Sequence, residues 1–160
     1  GSFIATNAQE IDRLIRVNLS APILLTRALL PEMLERDRGH VVNVASISGH
    51  VGVAGEAAYS ATKAGLIALT EALRYELHGT KVGASVVAPG AVRTKFFERE
   101  GLPYERRFPR LVPPETVAAA VLRAIRGNIP EVFSPRWMAF PAWLRGAMPW
   151  VYRRGAHRWG

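Results

Sequence analysis

The chain has 160 residues, 49% hydrophobic and 21% charged, with 14 Gly and 11 Pro dispersed along it. This composition excludes disorder, collagen-like repeats and a coiled coil, and it allows one domain with a core. There is no cysteine, so disulfides, thiolate metal sites and cysteine nucleophiles are excluded together, and a cytoplasmic address is expected. The net charge of +8 is local: residues 132 to 160 hold Arg136, Arg145, Arg153, Arg154 and Arg158 with no acid, so +5 sits in the tail and +3 in the rest. No nucleic-acid reading element accompanies that charge. Charge or proline breaks every apolar run before the ~18 residues of a membrane span, and no secretory leader pattern opens the chain. His40, His50, His78 and His157 lack paired metal-ligand spacing, so no metal is expected.

In chain order, Ile11, Leu14, Ile15, Leu19, Ile23, Leu25, Leu29, Leu30, Met33 and Leu34 predict one long helix over 9–36, ended by Gly39. HVVNVAS at 40–46 predicts a buried strand, followed by a loop spaced by Gly49, Gly52 and Gly55. A second helix is predicted from Glu56 to His78 and a second strand from Val82 to Ala88, stopped by Pro89 and Gly90. A third helix over 115–126 precedes a short strand at 131–133. Strands alternating with helices of this length predict an α/β fold with a parallel sheet. Between Arg93 and Pro114 no period is clean, and Phe96, Phe97, Leu102, Tyr104 and Phe108 mix with charges of both signs, as in functional loops. Residues 1–133 thus form the main unit. Residues 134–160 form a basic tail with Trp137, Trp143, Trp150 and Trp159, in which Pro135, Pro141 and Pro149 can each start a short helix.

Tyr59 and Lys63 stand at i and i+4 on the second predicted helix, so they leave the same face. Alone the pair is weak evidence, since four tyrosines and three lysines in 160 positions produce it by chance roughly 0.08 times. Ser46, thirteen residues before Tyr59, sharpens it by lying at the carboxyl end of a predicted strand, where open α/β sheets bind ligands. The second strand end, Pro89 to Thr94, is expected beside it. A tyrosine serves as acid or base only if its pKa falls from about 10 toward neutrality, a change worth about 4 kcal/mol. One ammonium about 4 Å away supplies about that much at an effective dielectric of about 20. Lys63 is therefore a candidate to tune Tyr59, and Ser46 to hydrogen-bond the reacting oxygen.

VVNVASISG, then Tyr59-Ser60-Ala61-Thr62-Lys63, then VVAPGAVRT together resemble the short-chain dehydrogenase/reductase family, over nearly the whole chain and more loosely after Thr94. The resemblance implies a partial Rossmann-type, doubly wound parallel sheet and an NAD- or NADP-dependent oxidoreductase with a homo-oligomeric parent. It implies Tyr59 as acid/base, Lys63 also binding the nicotinamide ribose, Ser46 orienting the substrate and Asn18, in RVNLS, holding a relay water. Pro89, Gly90, Val92 and Thr94 match the nicotinamide-side loop, Val92 through its backbone and Thr94 through its hydroxyl. The chain opens at Gly1-Ser2-Phe3 with no G-x-G-x-x-G, so it reads as the carboxyl-terminal catalytic part without the adenine-binding turn.

Blander readings stand beside these. Asn18 alone reads as an ordinary polar helix residue, Ser48 competes with Ser46, and Thr94 could cap a short helix at 95–98. His50 reads as a loop residue and His78 as a helix-end residue. The tail has three readings: packing on the substrate cleft, a dimer contact, or peripheral anchorage on anionic lipid, of which its proline-broken segments favour packing. Two function classes follow: an oxidoreductase interconverting an apolar alcohol and its ketone or aldehyde, and a non-catalytic reductase-like interaction module.

Overall fold

A computed structural model of the chain describes residues 2–94, 104 and 109–156. After a 3-10 turn at Phe3–Ala5, Asn7 caps α1 (Ala8–Ile15), its side chain accepting the Glu10 N–H at 2.7 Å. A π-helical turn over Arg16–Ser20, closed by the Ala21 N–H on the Arg16 carbonyl, joins α1 to α2 (Ala21–Glu35). The expected single α-helix is thus continuous in direction but re-phased in the middle. Pro22 gives the reason: it has no N–H for the Asn18 carbonyl four residues back, and one wide turn absorbs the mismatch just before it.

By length and composition alone, Ala8–Glu35 is apolar enough to cross a bilayer, contrary to the expectation that charge and proline break every such run. Pro22, Arg27, Pro31 and Glu32 are too few to lower the mean hydropathy of the stretch below that of a span. In this fold the stretch packs on the sheet and its neighbouring helix, with Leu30 and Met33 against Leu77, Val82 and Ala84.

The remaining elements are β1 (Gly39–Val44), α3 (Ile47–Val51), α4 (Ala57–Glu76), β2 (Val82–Pro89), α5 (Pro114–Gly127), β3 (Glu131–Ser134), a 3-10 turn (Arg136–Met138), α6 (Ala139–Ala147) and α7 (Pro149–Ala156). All three expected strands form, and α4 ends two residues short of His78. The strands are parallel in the order β1-β2-β3, with Val42 opposite Ser85 and Val86 opposite Glu131.

β2 is buried along its whole length, and its alternate side chains feed opposite faces. Val87 joins Ala120, Ala124 and Val132 beneath α5, while Val86 and Ala88 join Ala45 and Ile67 on the α4 side. Helices therefore cover both faces, the doubly wound arrangement expected from the sequence. Asn43 donates to Thr70 Oγ1 at 2.8 Å and Ser85 donates to the Ile129 carbonyl at 2.6 Å, whereas the buried Ser134 hydroxyl at the end of β3 has no partner among the described residues.

Candidate active site

Parallel strands end on the same side, and here the ends of β1 and β2 deliver the predicted segments together. The ladder continues one residue past β1, with the Ala45 N–H on the Val87 carbonyl at 2.8 Å, which brings Ser46 to the sheet's rim. Ser46 is the N-cap of α3, a short helix that forms where a glycine-spaced loop was expected. Its Oγ accepts the Ser48 N–H at 3.2 Å and the Ser48 hydroxyl at 2.9 Å. With its acceptor side so occupied, Ser46 keeps its own O–H to donate. Ser48 is 2% exposed, which separates the two competing serines.

Two features hold α3 in place. Gly49 packs so closely on α4 that a Cβ would stand 2.8 Å from the Lys63 carbonyl carbon and 2.9 Å from the Ala64 nitrogen. His50 meets Glu131 at 2.6 Å, its ring tilted over Phe133 at 5.2 Å, so it ties α3 to β3. Gly52, at φ 64°, then turns the chain out of the helix in a conformation that disfavours side chains.

Tyr59 lies in the first turn of α4, one turn before Lys63. The Lys63 Nζ donates to the Val44 carbonyl at 3.1 Å and stands 5.5 Å from the centre of the Tyr59 ring. Burial pushes the Lys63 ammonium below the ordinary lysine range. The loop after β2 is fastened on both sides: the Gly90 N–H donates to the Ser134 carbonyl at 2.8 Å, and Val92 pairs with Val112 in an isolated parallel bridge.

Ser46, Tyr59, Lys63, Pro89, Gly90, Val92 and Thr94 all line one cleft of about 1140 Å³. Asn18 is not among the described residues lining it. It sits in the π turn, which packs on α4 through Leu19, whose methyls would lie 3.1 Å from a Cβ at Gly65. The cleft also takes in Phe3, Thr6, Asn7, Glu10, Arg13 and Leu14, which sequence reasoning missed; the Asn7/Glu10 capping pair marks only where their helix starts. Tyr104 lines the cleft and donates its hydroxyl to the Pro109 carbonyl. Phe96, Phe97, Leu102, Phe108 and the helix that Thr94 could cap lie outside the described residues.

Comparison with known proteins bears on the fold and the family. The family model for short chain dehydrogenases matches residues 1–103. The ketoacyl reductase HetN of Nostoc sp. strain PCC 7120 is 44% identical over 137 residues, covering 82% of this chain and 46% of that protein. Among solved structures, a short-chain dehydrogenase from Sphingobium yanoikuyae in complex with NADPH superimposes with a TM-score of 0.79 at 28% identity, covering 93% of this chain and 60% of that one. The bulky-bulky ketone specific alcohol dehydrogenase from Comamonas testosteroni gives 0.72 at 27% identity, covering 94% and 58%. The chain spans about half the length of the curated relatives it matches. Motifs, fold and matched length agree: the chain belongs to the short-chain dehydrogenase family.

Proposed function

We propose that this chain is the catalytic part of a reductase that interconverts an apolar alcohol and its ketone or aldehyde with NAD or NADP, using Tyr59 as acid/base. The observation that carries this reading is convergence: Ser46 from the end of β1 and Tyr59 and Lys63 from α4 open on one cleft beside the Pro89–Thr94 loop. The donor set fits the nicotinamide end of such a cofactor, with an ammonium and a phenol for ribose hydroxyls and the Val92 backbone and Thr94 hydroxyl on the nicotinamide side. The complex of the Sphingobium relative with NADPH supports the same assignment.

When bound, the nicotinamide supplies the hydride or receives it. Tyr59 gives its hydroxyl proton to the carbonyl oxygen during reduction and takes it back during oxidation, which balances the two-electron step. The Lys63 ammonium, 5.5 Å from the ring centre, lowers the cost of the phenolate left behind. Ser46 donates its O–H to the same carbonyl oxygen as negative charge develops there. Asn18, one helix away, has the role of holding a relay water toward Lys63.

Leu14, Ile47, Val53, Val117 and Val121 in the cleft walls favour a carbonyl flanked by hydrocarbon. The ketoacyl and bulky-ketone activities named for the relatives fit that class. The test is Tyr59→Phe in the full-length protein. Turnover should fall about 10²–10⁴-fold while cofactor affinity falls far less, because the ring keeps its packing and Lys63 still meets the ribose, whereas the acid/base hydroxyl is lost. Turnover near the wild-type level overturns the assignment.

A further inference from the structure

Beyond the reaction and independently of it, we propose that α6 and the start of α7 form a docking surface for an anionic lipid bilayer. Among the described residues that follow β3, most of the aromatic rings stand exposed. Phe140 is 63% exposed, Trp143 59% and Trp150 64%, with Met148 at 37% between the two helices. Phe140 and Trp143 lie one turn apart and stack at 6.2 Å, so α6 carries a single aromatic face outward. Large contiguous apolar patches on a protein surface mark interaction sites.

The charge around this patch selects the partner. From 132 to the end of the chain there are five arginines and no acid, and Arg136, Arg145, Arg153 and Arg154 are all exposed. A second copy is a poor occupant, because a two-fold contact would set these arginines against their equivalents with no carboxylate to receive them. An acidic protein would also satisfy the arginines, since Trp and Arg serve protein interfaces too, but several exposed cations around an apolar patch with no carboxylate of their own match an extended layer of phosphates over hydrocarbon more completely. Indole rings favour the boundary between headgroups and acyl chains, and arginines beside them meet phosphate oxygens. One surface satisfies both groups at once.

The position has a consequence. α6 packs against α3, the helix that Ser46 caps, so a docked hairpin holds the mouth of the cleft close to the bilayer. A hydrocarbon-rich substrate dissolved in the membrane would then reach the cleft without crossing water.

The experiment is flotation of the full-length protein with phosphatidylcholine vesicles, with and without phosphatidylglycerol. Binding to the anionic vesicles should be at least about tenfold stronger and should weaken with salt. Phe140→Ser with Trp143→Ser, and separately Arg153→Glu with Arg154→Glu, should each reduce it about tenfold or more. These positions are exposed, and circular dichroism checks that the fold is kept. As a measurement without disruptive variants, bromine-labelled lipid should quench emission that is lost in Trp143→Phe with Trp150→Phe. Absence of binding, equal binding to both vesicles, retention in both double variants, or capture of an acidic protein with no vesicle binding each overturns the proposal.

Discussion

Ser48 donates both its N–H and its O–H to Ser46 Oγ, so a buried serine sets the direction in which its half-buried neighbour can donate. Ser48→Ala removes one of those donors at little cost in volume. It should lower kcat about tenfold with little change in KM, whereas Ser46→Ala, which removes the donor itself, should cost about 10²–10³-fold. Equal turnover in Ser48→Ala and wild type refutes this division of roles. Lys63 makes a pH-dependent prediction. Burial lowers its folded-state pKa below the unfolded value, so across the window between the two the unfolded chain binds more protons and stability rises with pH. Relative to Lys63→Met, the wild type should therefore gain Tm as pH climbs through the alkaline range toward the ordinary lysine pKa of about 10.4. Thermal melts of the two proteins across that range check the sign. Tyr59, Lys63 and Ser46 were legible in the sequence because helical spacing and a strand end fix where they point. Glu10 and Arg13 were not, because nothing local marks a surface helix as one wall of a cleft formed by residues about 30 to 110 positions later.

At the scale of elements, apolar spacing located every strand and the long helices. It missed what depends on one residue more or less. The π turn at Arg16–Ser20 leaves the hydrophobic stripe nearly intact, so only Pro22 signals it, through its missing N–H. α3 is five residues long and contains a glycine, too short for periodicity to register; in the sequence its cap, Ser46, reads only as a hydrogen-bond partner of the reacting oxygen. The sequence likewise presents Gly49 as a loop glycine, whereas it is a contact point between α3 and α4. A methyl there meets the backbone of Lys63 and Ala64 inside 3.0 Å, and neither helix can yield without moving a site residue. Gly49→Ala should cost about 1–3 kcal/mol of stability and lower kcat more than it weakens cofactor binding, since Ser46 shifts relative to Tyr59. Chemical denaturation alongside steady-state kinetics reads both effects. A variant with wild-type Tm and kcat removes Gly49 from this role.

For the molecule as a whole, the surfaces left open decide how these 160 residues behave by themselves. Among the described residues β1 pairs only with β2, so its other edge presents unpaired backbone groups. On α2, Leu24 is 65% exposed, Leu25 61% and Leu29 44%, a leucine face on the helix that packs beside that strand. An open edge next to an apolar face favours association of one copy with another. The 160-residue chain alone should therefore elute from size exclusion, with light scattering, as oligomers whose size grows with concentration. It should also show no saturable binding of NAD or NADP at micromolar concentration, because these 160 residues contain no G-x-G-x-x-G turn to receive the pyrophosphate. The same leucines would carry the isolated chain onto neutral vesicles through burial alone. Lipid selectivity is therefore a property to measure on the full-length protein, where dependence on Arg153 and Arg154 separates the tail from α2. A monodisperse monomer that binds either dinucleotide would show that the open edge and the leucine face are tolerated, and would defeat the prediction.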